Sequence, residues 1–478
     1  MSERRLPGAV LAAASLLCSS CLVGPDFRPP ETALPSGWSA PLTGGLGTGA
    51  YSAQDWWKSL GDPLLDDLVA RAIANNRDVH RAVAQVRAAR AARRGAQAAL
   101  FPSLNASVDY QRRRPASSTV SPSASREFND YSAGFDSSWE IDLFGGLRRS
   151  SEQAAADLEA AGADLDDVLV SVLAELARNY VEFRSLQARI AIAGDNARSQ
   201  AGTLDLTRWR FEAGLVGALD VEQAAYNLAE TRSRIPALET QRVAAANRIA
   251  VLLGVHAGSL DAELAAVAPV PTPPARVAVG LPTDLLRRRP DVAAAERRLA
   301  AATAAIGVAK AELYPKLSLS GTFGVSATDF AKLDTGAARG YTVGPTLTWN
   351  LFDAGRIRSV VNQRSAEADA ALASWEATVL AAFEEARNAL VAFAQEQQRR
   401  DRLAEARSAA RNAQELARLQ YENGLLDFQR LLEAERATLV FEESFAVSQA
   451  NVTSDLVALY KSLGGGWETV NCSDEGCR

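Results

Sequence analysis

Leu317-Ser318-Leu319-Ser320-Gly321-Thr322-Phe323-Gly324-Val325 alternates apolar and polar residues. In an extended chain Leu317, Leu319, Phe323 and Val325 share one face, and Ser318, Ser320, Thr322 and Gly324 share the other. The pattern returns elsewhere. Leu104, Ala106, Val108 and Tyr110 alternate with Asn105, Ser107, Asp109 and Gln111. Tyr131, Ala133, Phe135, Trp139 and Ile141 alternate with Ser132, Gly134, Asp136, Ser138 and Glu140, and Tyr341, Val343, Leu347, Trp349 and Leu351 with Thr342, Gly344, Thr346, Thr348 and Asn350. Strands are predicted at 103–113, 129–142, 316–327 and 341–351. Apolar residues outside and polar residues inside suit a lipid-facing barrel around water. A half-buried soluble sheet has the same period, and alternation alone leaves both readings open.

The strands sit inside a repeat. Leu100-Phe101-Pro102 returns as Leu313-Tyr314-Pro315, Leu143-Phe144-Gly145-Gly146 as Leu351-Phe352-Asp353-Ala354, and Phe211-Glu212-Ala213-Gly214-Leu215 as Tyr421-Glu422-Asn423-Gly424-Leu425. The order is constant, so the chain carries one unit twice, at 62–255 and 282–465. Between them, 256–281 includes the Pro-rich connector Pro269–Pro274. Residues 1–20 precede a segment at 21–61, and a polar tail covers 466–478. Each copy begins with a predicted helix, Asp62–Leu100 or Thr283–Leu313, which Pro102 or Pro315 stops. After the strands come long helical stretches, Arg148 to about Arg210 and Arg356 to about Gln420. Each turns at a glycine, Gly214 or Gly424, and a second helix returns. At about 1.5 Å per residue such helices outrun a membrane several-fold.

One chain offers four strands, and a closed membrane barrel needs about eight or more. Open strand edges in lipid leave unsatisfied backbone groups. The barrel must be shared between chains, and three chains, giving twelve strands, leave a hollow interior where two would leave room only for side chains.

Arg4 and Arg5, then an apolar stretch to Leu17, form an export signal. Ser19-Ser20-Cys21 resembles a lipoprotein cleavage box, which would make Cys21 the acylated first residue; an ordinary signal peptide with a chance cysteine is the alternative. Cys472 and Cys477 are open to two readings, a small disulfide loop or two free thiols. A net charge of −6 disfavours a nucleic-acid partner. Only His80 and His256 are available for histidine chemistry, and no nucleophile elbow, phosphate loop or Cys-x-x-Cys is present. No metal or cofactor is expected beyond a covalent lipid on Cys21.

Cys21-Leu22-Val23-Gly24-Pro25-Asp26-Phe27-Arg28-Pro29-Pro30, the Trp56-Trp57 element before Asp62-Pro63-Leu64-Leu65, and Leu285-Leu286-Arg287-Arg288-Arg289-Pro290-Asp291-Val292 resemble the lipoprotein branch of the TolC-like outer-membrane efflux factors. The resemblance covers essentially the whole mature chain. It implies a membrane α+β fold, a trimeric 12-stranded β-barrel (four strands per chain) continued by a long periplasmic α-helical barrel, with a mixed equatorial region. It implies a homotrimer in the outer membrane of a Gram-negative bacterium, in contact with outer-membrane lipid. Its partners would be a periplasmic adaptor and an inner-membrane pump of the resistance-nodulation-division type. The function would be passive export of drugs, toxic compounds or metals, without catalysis. A conduit for type I protein secretion and a structural coiled-coil envelope lipoprotein are the alternatives.

By the same resemblance Gly214, Leu215, Gly424 and Leu425 would form the adaptor-docking tip. Glu433, with Asp427, Asp220 and Arg430, would form a periplasmic gate, and Glu435 lies in the same acidic stretch. Loss of salt bridges to Arg208, Arg210 or Arg430 would open it. Trp56 and Trp57 are expected to pack the equatorial region, Trp139 and Trp349 to form an aromatic girdle, and Arg287–Arg289 to solvate or cap a helix start.

Overall fold

The computed structural model describes residues 22–31, 35, 37–38, 42–47, 49, 54–114, 127–282 and 288–469. The export signal, Cys21, Leu285-Leu286-Arg287, Cys472 and Cys477 lie outside the described residues. Two compact units divide the chain, and neither coincides with a sequence repeat. Each draws segments from both copies: Met1–Glu31, Val86–Ala161 and Ala295–Trp375 make the first, and Thr32–Gln85, Gly162–Ala294 and Glu376–Arg478 the second.

The first unit holds an antiparallel sheet of β1 (Ser103–Arg113), β2 (Phe128–Ile141), β3 (Lys316–Ala327) and β4 (Arg339–Thr348), paired in that order. Its register aligns the alternation. Ala106, Phe135, Phe323 and Tyr341 form one cross-sheet row, and Ser107, Gly134, Gly324 and Gly340 form the next. One face is therefore mostly apolar, interrupted by Ser137 and, near strand ends, by Arg112 and Arg339, and the other is polar. The apolar face is uncovered: Val108 is 84% and Tyr341 80% exposed. The fourth strand ends at Thr348, short of the expected 351, because its last partner is Lys316 and Pro315 has no N–H to continue the ladder. Trp349 lies just past the strand and its ring N–H bonds the Leu313 carbonyl at 3.1 Å. Trp139 makes the equivalent bond to the Leu100 carbonyl at 2.9 Å in the other copy.

The helices repeat closely. α3 (Gly146–Glu212) and α6 (Arg356–Glu422) have 67 residues each. α4 (Ala218–Leu252) and α7 (Phe428–Ser462) have 35 each. The lead-in helix of the first copy is two helices, α1 (Pro63–Asn75) and α2 (Arg77–Ala98), where one was expected. Asn76 makes the break. Buried and extended, it accepts from the Asp78 and Val79 amides at 2.9 and 3.1 Å, and its amide donates to the Leu252 carbonyl at 2.8 Å. It thus caps one helix start and one helix end. In the second copy the described helix, α5 (Pro290–Ala311), starts at a proline.

In the second unit the core gathers Leu65, Leu68, Leu173, Leu176, Phe183 and Leu456. Truncating such a leucine to alanine costs about 2–5 kcal/mol. Trp56 and Trp57 are buried there as expected, with Trp56 stacked on Tyr460. Arg289 departs from expectation. It is buried, pairs with Asp291 at 2.7 Å and Glu385 at 2.8 Å, and donates to the Ser462 carbonyl at 3.0 Å, so it closes the end of α7.

The glycine row tests the sheet. A Cβ on Gly134 would sit 2.9 Å from the Phe323 carbonyl oxygen and 3.2 Å from the Gly324 Cα, whereas one on Gly344 would meet nothing within 4 Å. Gly134→Val is expected to destabilise by about 1–3 kcal/mol. Gly344→Val, on the same polar face, is expected to leave the thermal midpoint by circular dichroism near wild type. Equal effects would contradict this register.

Candidate functional site

Two features can serve transport: the two-faced sheet and the paired helical turns. On the sheet, the polar face presents Asp109, Asp130, Asp136 and Glu140 alongside Arg113 and Lys316, among Ser, Thr, Asn and Gly. No helix among the described residues is long and apolar enough to cross a membrane. The described residues hold no group of three or more His, Cys, Asp or Glu placed to bind a metal.

The turns are near copies. Gly214 and Gly424 both have φ of +73°, a conformation that favours glycine at a helix end. The Leu215 amide reaches back to the Arg210 carbonyl, and the Leu425 amide to the Gln420 carbonyl, each at 2.8 Å. Leu215 and Leu425 project freely at 67% and 78% exposure. Asp427 caps α7, accepting from the Arg430 amide at 3.0 Å. Asp220 lies in the first turn of α4, where the helix dipole favours an acid. Glu433 is exposed and pairs with Arg430 one turn back, at 3.1 Å.

Residues 68–255 and 281–465 match the family described as outer membrane efflux protein. The chain belongs to the outer membrane efflux protein family. Nodulation protein T of Rhizobium leguminosarum bv. trifolii is 33% identical over 461 residues, 95% of this chain and 97% of that protein. The pyoverdine export outer membrane protein OpmQ of Pseudomonas putida is 33% identical over 442 residues, 91% and 92% of the two chains. The solved outer-membrane channel OprN superposes with a TM-score of 0.88 at 38% identity, over 94% of this chain and all of that one. The efflux protein thus has the TolC-like fold and acts as an efflux channel in the outer membrane.

Within this efflux protein the acids of the second turn have different surroundings. Glu433 faces solvent, but Glu435 is 2% exposed and accepts from the Thr203 hydroxyl at 2.6 Å. It lies on the buried stripe of α7 with Leu431, Leu432, Thr438, Leu439 and Glu442. The proposed release of salt bridges also changes. Arg208 pairs with Asp205 and Arg430 with Glu433, each on its own helix, because i,i+3 neighbours are the nearest partners. Arg210 links the two turns without a carboxylate. It donates to the Tyr421 carbonyl and lies over the Tyr421 ring, 4.5 Å from its centre.

Sequence reading missed a polar seam beneath these turns. Asn196, Gln200, Thr203 and Thr207, spaced along one face of α3, are all buried. Thr207 meets the Tyr421 hydroxyl at 3.2 Å, and Asn196 donates to Glu442 at 2.7 Å. Their helical spacing was visible in the sequence, but small polar residues on a helix read equally as solvated face.

Burial pushes the Glu435 carboxyl above the ordinary glutamate range, with the Thr203 bond pulling the other way. A raised folded pKa means that the charged form is the disfavoured one in the folded protein, so its penalty is full above the folded pKa, shrinks as the pH falls through it and is gone below the unfolded pKa of about 4.3. Glu435→Gln is therefore expected to raise the thermal midpoint at pH 7.5, with the gain shrinking towards pH ~4. A loss of stability at pH 7.5 would show that the carboxylate is favourably held.

Proposed function

We propose that three copies of this chain join edge to edge into a barrel of twelve strands, four from each, as the passive outer-membrane conduit of a tripartite efflux system. The observation that carries this reading is the sheet: one face mostly apolar, the other polar, and its outer strands β1 and β4 each paired on one side only among the described residues. An apolar outer face with a polar lumen is what a lipid-embedded, water-filled barrel needs. Small molecules, whether drugs, toxic compounds or metals, would pass from a periplasm-spanning complex to the exterior. No chemical step is assigned to the chain.

Cys21 is the proposed acylated residue, anchoring the mature chain in the outer membrane. A periplasmic adaptor would dock at Gly214-Leu215 and Gly424-Leu425, whose exposed leucines offer apolar contacts. The pump behind it would be of the resistance-nodulation-division type.

Glu433 is the proposed gate carboxylate, because it is exposed and paired with Arg430 alone among the described residues, while Asp427, also exposed, is engaged as a helix cap. Its surface pair with Arg430 is weak, about 0–1 kcal/mol, and can yield to a cation. Threefold symmetry would make a ring of three carboxylates, which attracts cations and can hold a divalent ion. Single-channel recording in planar bilayers tests both levels. Wild type is expected to conduct with cation preference and divalent block, and Glu433→Ala to weaken both. Unchanged selectivity and block would remove Glu433 from the gate, whereas a wild-type protein that forms no pores would overturn the conduit.

A further inference from the structure

Where α3, α6 and α7 meet, one layer of side chains is built twice, and the second copy is incomplete. In the first layer Glu442 of α7 is held from both sides: Asn196 of α3 donates to it at 2.7 Å and Arg411 of α6 at 2.5 Å. Seven residues along each helix, towards the glycine turns, stand Thr203, Arg418 and Glu435. Residues seven apart share a helix face, so the same layer recurs. Thr203 takes the place of Asn196 and donates to Glu435 at 2.6 Å. Arg418 does not take the place of Arg411. It pairs instead with Glu422, one turn on along its own helix, at 3.2 Å.

Glu435 is thus a buried acid that no cation pairs with among the described residues. From α3 it meets the uncharged Thr203, and Arg210, seven residues on, is spent on Tyr421. Arg436, its neighbour on α7, bonds Asn227 and Tyr226 of α4. Arg234 of α4 is held by Glu230 and Glu443. From α6 it faces Arg418. Burial raises the Glu435 carboxyl above the ordinary range, while the Thr203 bond and the charge of Arg418 pull the other way. The acid therefore keeps its proton to a higher pH than a solvated glutamate does. In the same seam Gln200, one turn before Thr203 and also buried, has a side-chain oxygen without a partner among the described residues. The seam's spare group is an acceptor, which suits a protonated acid.

The first layer shows what the second can become. Arg411 and Arg418 are equally exposed, at 56% and 57%, yet Arg411 reaches an acid as enclosed as Glu442. Arg418 has the same stem at the matching register. We propose that Arg418 is a two-position arm: it rests on Glu422 while Glu435 carries a proton, and swings to Glu435 when that proton leaves. On Glu422 the arm ties the last turn of α6 to itself. On Glu435 it braces α6 against α7 beside the turn of Gly424 and Leu425. A proton thus sets whether the second helical pair is cross-braced next to its turn. The swing offsets part of the cost of the buried charge, and the gain expected from Glu435→Gln is the part that remains. The switch stands apart from the docking role given to this turn, which can fail without touching it.

The test makes the arm report its own partner, in the full-length protein in lipid nanodiscs. Arg418→Lys supplies an amine that a water-soluble carbodiimide joins to a touching carboxylate as an amide. Peptide mass spectrometry then reads whether position 422 or 435 is linked. Arg411→Lys, linked to Glu442, is the reference for the reagent's own pH dependence. Against it, the ratio of links at 435 to links at 422 is expected to rise about tenfold or more between pH ~5 and pH ~7.5, because each pH unit through a titration changes the proton ratio tenfold. Glu435→Gln in the same background is expected to make the link at 422 independent of pH. A double-mutant cycle of Arg418→Gln with Glu435→Gln, read by the thermal midpoint, keeps the native arginine as its starting point and covers a lysine variant that does not accumulate. The two residues are expected to couple at pH ~8 and to act independently at pH ~5. A link that stays at 422 at both pH values while the reference forms, or a coupling that is the same at both, would overturn the switch.

Discussion

Lipid offers no partner to a backbone N–H or carbonyl, and each one left unpaired there costs several kcal/mol. β1 and β4 each present a row of such groups on their outer sides, because among the described residues each has a single neighbour. The sheet cannot curl shut on itself, since about eight strands are the fewest that close around packed side chains. The two open edges therefore set the assembly. An alternating up-and-down order of four strands makes the first and last antiparallel, so an edge of one copy fits the opposite edge of the next without reversing direction.

The same constraint explains why the repeat is shared out as it is. Neither copy forms a compact body alone; the strands of both copies pool in one unit, and the glycine turns of both lie in the other. On the polar face Gly134 and Gly324 let neighbouring backbones approach closely, and Gly340 extends the same row without side-chain bulk. At the turns, the two copies have diverged. Phe211 is exposed, while its counterpart Tyr421 is buried beneath Arg210, against Phe428. One turn thus builds on the other, although they descend from one pattern.

The strands were legible because a period of two persists along each, interrupted only at positions such as Ser137, Gly321 and Pro345, and because Pro102 and Pro315 mark the starts of β1 and β3. The long helices were legible from their length and their terminal glycines. What the sequence did not show depends on distant partners. Asn76 breaks a helix only because the Leu252 carbonyl waits for its amide. Arg149 reads as one more helix-face arginine until Val23 and Asp26, more than 120 positions earlier, are set against it. Glu433 and Glu435 are two residues apart and chemically identical, and only the helix phase decides that one meets solvent and the other Thr203. That phase was readable from Leu431, Leu432, Thr438 and Leu439, and it separates a candidate gate residue from a core one.

The most direct measurement of the central claim is edge-to-edge disulfide trapping in intact membranes. Ser107→Cys on β1 would be combined in turn with cysteine at Gly340, Thr342, Gly344 or Thr346 on the same polar face of β4. At one of these registers, oxidation should yield covalent dimers and then trimers, with the closed trimer as the end product. Cross-linking confined within single chains, a series that stops at the dimer, or no cross-link at any of the four registers would contradict a barrel shared by three copies.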